Sequence, residues 1–547
     1  MKSICAEKVL LSKNIFTAEN HNLISGGIAV AGYHIIAVGS RKEIERYIGD
    51  KTVVYDFGDK LLMPGFCDSH VHLMMGCMAT AYPDLGKAKS ADECGRILRE
   101  YYDKDPGFFS AGEWILGFNW YHTRWEDKSY PTKEVLDRYF PDLPVFLMNA
   151  DCHGAWVNSK ALEVCGVDKN TPEVPYGRIH RDAAGNPTGY LEEMATKLCI
   201  NEAYDLPNVK EKMLLQKVNK FFSRYGITSV GDMQYILGAD VGKVQVYRSM
   251  ADGDELDFRI NFANGLFDDM ERILFLHNNF NNKEDLVYYN GLKEFVDGII
   301  STHTSVMLDK YTDDPAAPVN YELMDLKKAE ELIGFYHSMG MNIQLHATGD
   351  GAVKKALDMY EKAIKANGKT KSRLSIEHLD LTDPADWKRL GRLGVIASVQ
   401  PPHITLSDSL ETNDYPPVIG EERCKRLWAY KSFADNGAVL AFGTDYPVVY
   451  DSPMVSLHRA VTRKFPNGKP VNGWNPQQRL SVADAVIAYT LGGAKKFGKE
   501  DVLGTISVGK LADITVVDKN LLKIAPDEIL DANVVFTMVD GRVVYDR

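Results

Sequence analysis

No stretch of this 547-residue chain is apolar for long enough to span a bilayer. The opening segment, MKSICAEKVLLSKNIFTAEN, has polar residues where a secretory signal needs an unbroken apolar core, so a cytoplasmic protein without membrane attachment is expected. Cys-x-x-Cys pairs are missing as well. The eight cysteines (Cys5, Cys67, Cys77, Cys94, Cys152, Cys165, Cys199, Cys424) are scattered, which argues against a disulfide framework and against thiolate zinc sites, so any metal must use other ligands. No Lys/Arg block offsets the formal net charge of -12, which repels phosphate backbones and anionic headgroups. Neither nucleic acid nor a membrane is an expected partner. Disordered tracts are lacking: the 44 Gly and 23 Pro are spread along a chain that is 45% hydrophobic and 25% charged, as in an ordinary globular protein.

A chain of this length exceeds one ordinary core, so a large catalytic domain with a smaller companion is expected. Both ends alternate apolar and polar residues in short runs: KVLLSKNIFTA, GGIAVAGYHIIAVGS and KTVVYDFG at the start, ADITVVD at 512–518 and VVFTMVDGRVVYDR at 534–547, with Asp540-Gly541 as a hairpin turn signal. These ends are read as one composite β-sandwich domain, residues 1–62 plus 500–547. Between them, over 63–499, β-branched or apolar runs alternate with helix-patterned segments, which predicts an α/β fold, a (β/α)₈ TIM barrel. Its strands are placed at 63–73, 226–233, 257–264, 291–298, 342–349, 373–379, 394–401 and 439–447. Residues from about 80 to 205 are too many for a crossover and are expected to form an insertion over the barrel mouth.

Active sites of this barrel form where the strands end. His70 and His72 close the first strand at i, i+2 spacing and so share a face. His346 ends the fifth strand, His378 the sixth, and Asp445 the eighth, within Gly443-Thr444-Asp445. Singly, each histidine reads as a core residue bonded to backbone. As a set, converging imidazoles and a carboxylate are costly to bury unless a cation or a dense hydrogen-bond network joins them. Such a donor set without thiolate suits Zn²⁺, with Mn²⁺, Co²⁺ or Fe²⁺ as alternatives. His21, His34 and His458 carry no such positional argument.

Alternation along the fourth strand puts Lys293, Phe295 and Asp297 on one face and Glu294 and Val296 on the other. An inward Lys293 would point an ammonium at a dication, so it must be neutral or converted to an anion; the alternative is a lysine snorkelling at the rim. Glu294 breaks the apolar pattern expected toward the helices. Phe118, Trp120, Tyr121, Trp125 and Trp156 read equally as an apolar pocket for an aryl or bulky N-substituent and as the insertion's own core.

The motifs MPGFCDSHVHL, NADCHGAWVNSKAL, GNPTGYLEEMA, GITSVGDM, KEFVDG, QLHATGDGAV, SIEHLD, GTDYPV and LGTISVGKLADITVVD, in that order and over essentially the whole chain, resemble the amidohydrolase superfamily, in the branch that includes N-substituted formamide deformylases. The resemblance implies His70, His72, Lys293, His346, His378 and Asp445 as metal ligands, with Lys293 carboxylated by CO₂ to a carbamate bridging two metals. That conversion also answers the charge objection. It places Glu193, in Gly-x-Leu-x-Glu, and His153 toward the substrate, and makes a homodimer a reasonable expectation. The sequence departs from the family where relatives continue the fourth-strand motif with a Ser-Leu-Gly run and an Arg: Ile299, Ile300, Ser301, Thr302 and His303 stand there, which affects specificity before it affects the metal site.

The expected activity is hydrolysis of a C–N bond (amide, formamide or cyclic amide) in a small molecule. A bound dication lowers the pKa of water from about 15.7 to about 7, the resulting hydroxide attacks, and Asp445 as general base returns the proton to the leaving nitrogen. His153, Glu193 or His303 would steady the oxyanion or leaving group, with Trp120 lining the substrate pocket. The rival readings are a deaminase of a heterocyclic amine on the same site, an organophosphate or lactone hydrolase, and a catalytically silent barrel acting as an interaction protein, which would be expected to have lost ligands.

Overall fold

The computed structural model describes residues 5–109, 113–449 and 452–547. At its centre run eight parallel strands, Phe66–Val71, Ile227–Met233, Arg259–Gly265, Val287–Phe295, Ile343–Ala347, Leu374–His378, Ile396–Val399 and Leu440–Phe442, hydrogen-bonded in that order. A bridge between Val71 and Tyr446 brings the two edges together, and the sheet closes as a (β/α)₈ barrel. All eight runs read from the sequence are strands. Nearly every strand residue is buried on both faces, which is why these runs are apolar throughout rather than alternating. Amphipathic helices cover the outside; Asp350–Asn367, for example, buries Val353, Ala356, Leu357, Tyr360 and Ala363 at helical spacing. The Tyr360 hydroxyl hydrogen-bonds the carbonyls of Ile343 and Ser375 at 3.0 and 2.8 Å, tying the fifth strand to the sixth.

The fourth strand differs from its expected bounds. It starts at Val287 and ends at Phe295, and Gly291 adopts φ +93°, where an added Cβ would lie 2.1 Å from the carbonyl oxygen of Asn342. The alternation therefore stops short of Asp297. Instead of facing inward, the Asp297 carboxylate accepts hydrogen bonds from the backbone of Val306, Thr348 and Gly349, each at 3.0 Å, and fastens the following loop.

The chain ends share a second, mixed sheet. Strand Leu61–Pro64, just before the barrel, pairs with Ile514–Val517, and Val534–Val539 and Arg542–Asp546 extend the sheet on that side; Lys8–Phe16, Leu23–Ala31 and His34–Gly39 extend it on the other. Asp540 and Gly541 both have positive φ, as the hairpin signal requires. A third sheet, of five strands (Ile115–Trp120, Val145–Asn149, Gly154–Val157, Gly177–Arg181, Pro187–Glu193), occupies the long segment after the first barrel strand. Arg259, at the start of the third barrel strand and fully buried, bonds both oxygens of Asp513, at 2.8 and 3.1 Å, and also Asp540. This is the charged bolt between barrel and terminal sheet. Arg259→Met strands two carboxylates without their cation, and thermal unfolding is expected to report a loss of about 3–5 kcal/mol; a melting temperature equal to wild type would mean that the bolt carries no net stability.

Cys67, Cys77, Cys94, Cys152, Cys165, Cys199 and Cys424 are free thiols. Among the described residues no helix is long and apolar enough to cross a membrane.

Candidate active site

The barrel delivers its polar side chains to one end, where the strands finish. His70 and His72 leave the first strand on one face, their rings 5.5 Å apart. Each Nδ1 is committed: that of His70 lies 2.7 Å from the Glu377 carboxylate and that of His72 lies 2.8 Å from the Met233 carbonyl, both groups that only accept. The ring proton is thereby held on Nδ1, and both Nε2 lone pairs turn toward Asp445 Oδ1, at 3.3 Å each. His378 adds Nδ1 at 4.0 Å from Asp445 Oδ2, and the centre of the His378 ring lies 4.4 Å from that of His346, the two tilted by 60°. Lone pairs facing a carboxylate oxygen repel unless a positive charge lies between them. His70, His378 and Asp445 each offer one atom, all within 4.8 Å of one another, a donor set suited to a divalent cation.

Backbone strain gathers here. In a regular strand Glu377 and His378 would point to opposite faces, but His378 takes φ +75° and both side chains reach the site. Asp445, Leu379, Cys152 and Glu193 also have left-handed φ, 61°, 54°, 63° and 49°. Such residues cost about 1–3 kcal/mol each and persist where function requires the geometry.

Lys293 does point inward. Its Nζ is fully buried, lies 3.7 Å from the centre of the Phe295 ring and has no hydrogen-bond partner; burial pushes it down to about 8. His346 donates Nε2 to the carbonyl of Gly298 at 3.0 Å, which leaves Nδ1 with the lone pair. Burial holds His346 and His378 far below the ordinary imidazole range and thus neutral. Burial works against ionisation of Asp445, while positive charge on the facing imidazoles, His70 first, pulls its carboxyl well below the usual carboxylate range, so the carboxylate needs a cation or a proton on the rings beside it. Glu294, on the opposite face of the strand, accepts a bond from the Phe295 amide at 2.9 Å, and burial pushes its carboxyl up to about 8, so an uncharged acid occupies the position that broke the apolar pattern.

A cavity of about 1000 Å³ opens above these groups. His153, from the insertion, lines it, with Nδ1 2.7 Å from Glu193, which is buried behind. Burial alone would lower His153, but the Glu193 carboxylate outweighs it and raises the imidazole to about 9. With Glu193→Gln the imidazole should titrate nearer its ordinary value of about 6.5. Activity that depends on the imidazolium would then fall away at lower pH, and a pH–rate profile with an unmoved alkaline limb would show that the dyad plays no part in turnover.

Glu193 thus stands behind His153 rather than at the substrate, and two more residues expected there lie elsewhere. Trp120 is wholly buried, donates Nε1 to the Leu147 carbonyl at 2.8 Å and packs on Trp125 and Trp156 in the insertion's core, leaving Tyr121 at the cavity wall. His303 turns away to Asp313, 3.0 Å from Nε2, with its ring against Tyr311; Ile299 and Ser301 of the same loop face the cavity instead. The sequence reading also passed over His403. It follows the seventh strand in the turn Pro401–Thr405, lies 3.6 Å from Asp445 Oδ2 and stacks 5.9 Å from His378. Its place just past a strand end was the available signal.

The profile of the amidohydrolase family matches residues 53–545. The chain belongs to that family. As an amidohydrolase it is an enzyme that hydrolyses carbon–nitrogen bonds other than peptide bonds, and the family resemblance read from the motifs holds. It is 31% identical to Protein LONG AFTER FAR-RED 3 of Arabidopsis thaliana, over 99% of this chain and 92% of that one. It is 26% identical to the N-substituted formamide deformylase of Arthrobacter pascens, over 98% of both. A metal-dependent hydrolase from Pyrococcus horikoshii has the same fold, with a TM-score of 0.75 at 24% identity, covering 95% of this chain and 99% of that one. Use of a divalent metal accords with the cluster at the barrel mouth.

Proposed function

We propose that this amidohydrolase cleaves the C–N bond of a small-molecule amide, formamide or cyclic amide at a divalent-metal centre held by His70, His72, Lys293, His346, His378 and Asp445. The observation that carries the reading is the pair of Nε2 lone pairs, on His70 and His72, aimed at the Asp445 carboxylate oxygen 3.3 Å from each. A divalent cation held there, Zn²⁺ in this reading and two per chain, would supply Lewis acidity for the substrate carbonyl and would lower the pKa of a bound water from about 15.7 to about 7. Lys293 fits the centre once its neutral Nζ adds to CO₂ and releases a proton, since the resulting carbamate is an anion where an ammonium would repel. Asp445 takes the proton of the attacking water and passes it to the departing nitrogen. His153, charged and backed by Glu193, donates to the developing oxyanion or to the leaving group. The similarity to a formamide deformylase supports N-substituted formamides as the first substrates to try.

The test pairs elemental analysis of purified protein with an assay of N-formyl, N-acyl and cyclic amides, scoring amine and carboxylate as products. Ammonia released with the carbon skeleton intact would favour a deaminase; protein that takes up no metal even on reconstitution would overturn the reading.

A further inference from the structure

Beneath the candidate ligands lies a buried charge that the proposed chemistry does not use. After the eighth strand the chain runs through a π-helical segment, Ala488–Gly492, and a helical turn, Gly493–Lys496. Gly492 and Gly493 let this helix settle on the barrel wall: an added Cβ would lie 2.0 Å from the Leu440 carbonyl oxygen at the first and 2.6 Å from Cys67 Cβ at the second. That close approach carries Lys496 into the interior. Its ammonium, 1% exposed, donates to the Ser69 carbonyl at 2.8 Å, to Ser398 Oγ at 2.9 Å and to Glu377 Oε2 at 2.8 Å. Glu377 Oε2 is the same oxygen that lies 2.7 Å from His70 Nδ1, while Oε1 accepts from Ser375 Oγ at 2.6 Å. Both carboxylate oxygens are thus held by donors from fixed strands, and the carboxylate can turn neither away from His70 nor into a donor. π-Helical segments of this kind recur at functional sites, and this one sets the register that aims Lys496.

We infer that Lys496 is a positioning residue for the metal centre, acting through Glu377 to hold the His70 ring with its proton on Nδ1 and its lone pair toward the ligand cluster. The inference rests on the proposed metal site. A carboxylate behind a ligating histidine fixes its tautomer and orientation, and losing such a partner lowers metal affinity by about 10- to 100-fold. Lys496 extends that chain by one link: without it, Glu377 keeps Ser375 on Oε1 and His70 on Oε2 but loses the second donor on Oε2.

The experiment is a double-mutant cycle on Zn²⁺ affinity, measured by chelator competition on wild type, Glu377→Gln, Lys496→Met and the double variant, with thermal unfolding of each metal-free protein alongside. Expected are an about 10- to 100-fold rise in Kd for either single variant and no further rise in the double variant over Glu377→Gln, because a residue acting only through Glu377 has nothing left to act on. Should Lys496→Met fail to fold with Glu377 left unpaired, comparison of the double variant with Glu377→Gln, in which no charged pair remains, still answers the question. Losses that add, or a Lys496→Met Kd within twofold of wild type, would overturn the inference. Wild type that binds no Zn²⁺ at all would instead sink the proposed metal centre, so the two failures are distinguishable. Selective ¹⁵N-histidine labelling of the Zn²⁺-saturated protein gives a second readout: the Nδ1 proton of His70, held by Glu377, should exchange with water faster in Lys496→Met than in wild type, and an unchanged exchange rate would count against the role.

Discussion

Asp445→Asn protein is expected to fold, to retain metal and to turn over its amide about 10²- to 10⁴-fold more slowly, the contribution of a positioned general acid–base. Asparagine keeps the shape and one oxygen, so the side chain can still present an acceptor to the cation beside His70 and His72. What it cannot do is take a proton. The wild-type carboxylate can, because positive charge beside it, on a bound cation or on the facing imidazoles, keeps it ionised in a buried setting. The check is kcat on a substrate found by the amide screen, with metal content and melting temperature measured on the same preparation. Full activity with metal in place would remove Asp445 as the base and turn attention to His403, whose Nε2 lies 3.6 Å from Asp445 Oδ2.

The second large effect is expected at Lys293. Its amine is buried without a hydrogen-bond partner and pushed down to about 8, so near neutral pH part of it is uncharged and able to add to CO₂. Lys293→Ala should lower metal content from about two equivalents per chain to about one or fewer, the consequence of removing the anion shared in a two-metal site, with activity falling in parallel. A small carboxylate such as formate, able to enter the space left by the side chain, should restore part of both. Stoichiometry near one in wild type and variant alike would recast Lys293 as structural and favour mononuclear, deaminase-like chemistry.

The barrel was legible from sequence because a strand buried on both faces must be apolar nearly throughout, and eight such runs alternate with helix-patterned segments between the alternating ends; comparable runs such as Val145–Asn149 belong to the insertion. The four histidines and Asp445 stood out for the same reason, as polar residues at the ends of runs with no other use for them. Direction was the information that sequence lacked. Trp120 and Tyr121 are neighbours, yet one fills the insertion's core and the other faces the cavity, a choice made by the strand Ile115–Trp120 and its partners. The loop after the fourth strand likewise exposes Ser301 to the cavity and turns His303 to Asp313. Asp297 was misplaced because alternation was extended beyond Phe295, where the strand stops. Lys496 was invisible for a different reason: a lysine on a short helix reads as solvent-facing, and only the contact of Gly492 and Gly493 with the barrel wall puts it inside.

The sheet shared by the chain ends also bears on how the protein is made. Leu61–Pro64 finds its long partner, Ile514–Val517, only after about 450 further residues have been synthesised, and at about 5–20 residues per second that wait lasts tens of seconds. Until then the Leu-Leu-Met-Pro segment, joined on its other side to Lys8–Phe16 through only Asn14 and Ile15, presents an apolar β edge with open amides and carbonyls, the kind of surface that recruits other strands. A nascent chain of this protein is therefore a natural client for a holding chaperone, and its yield should respond to translation rate more than that of a barrel whose flanking strands pair locally.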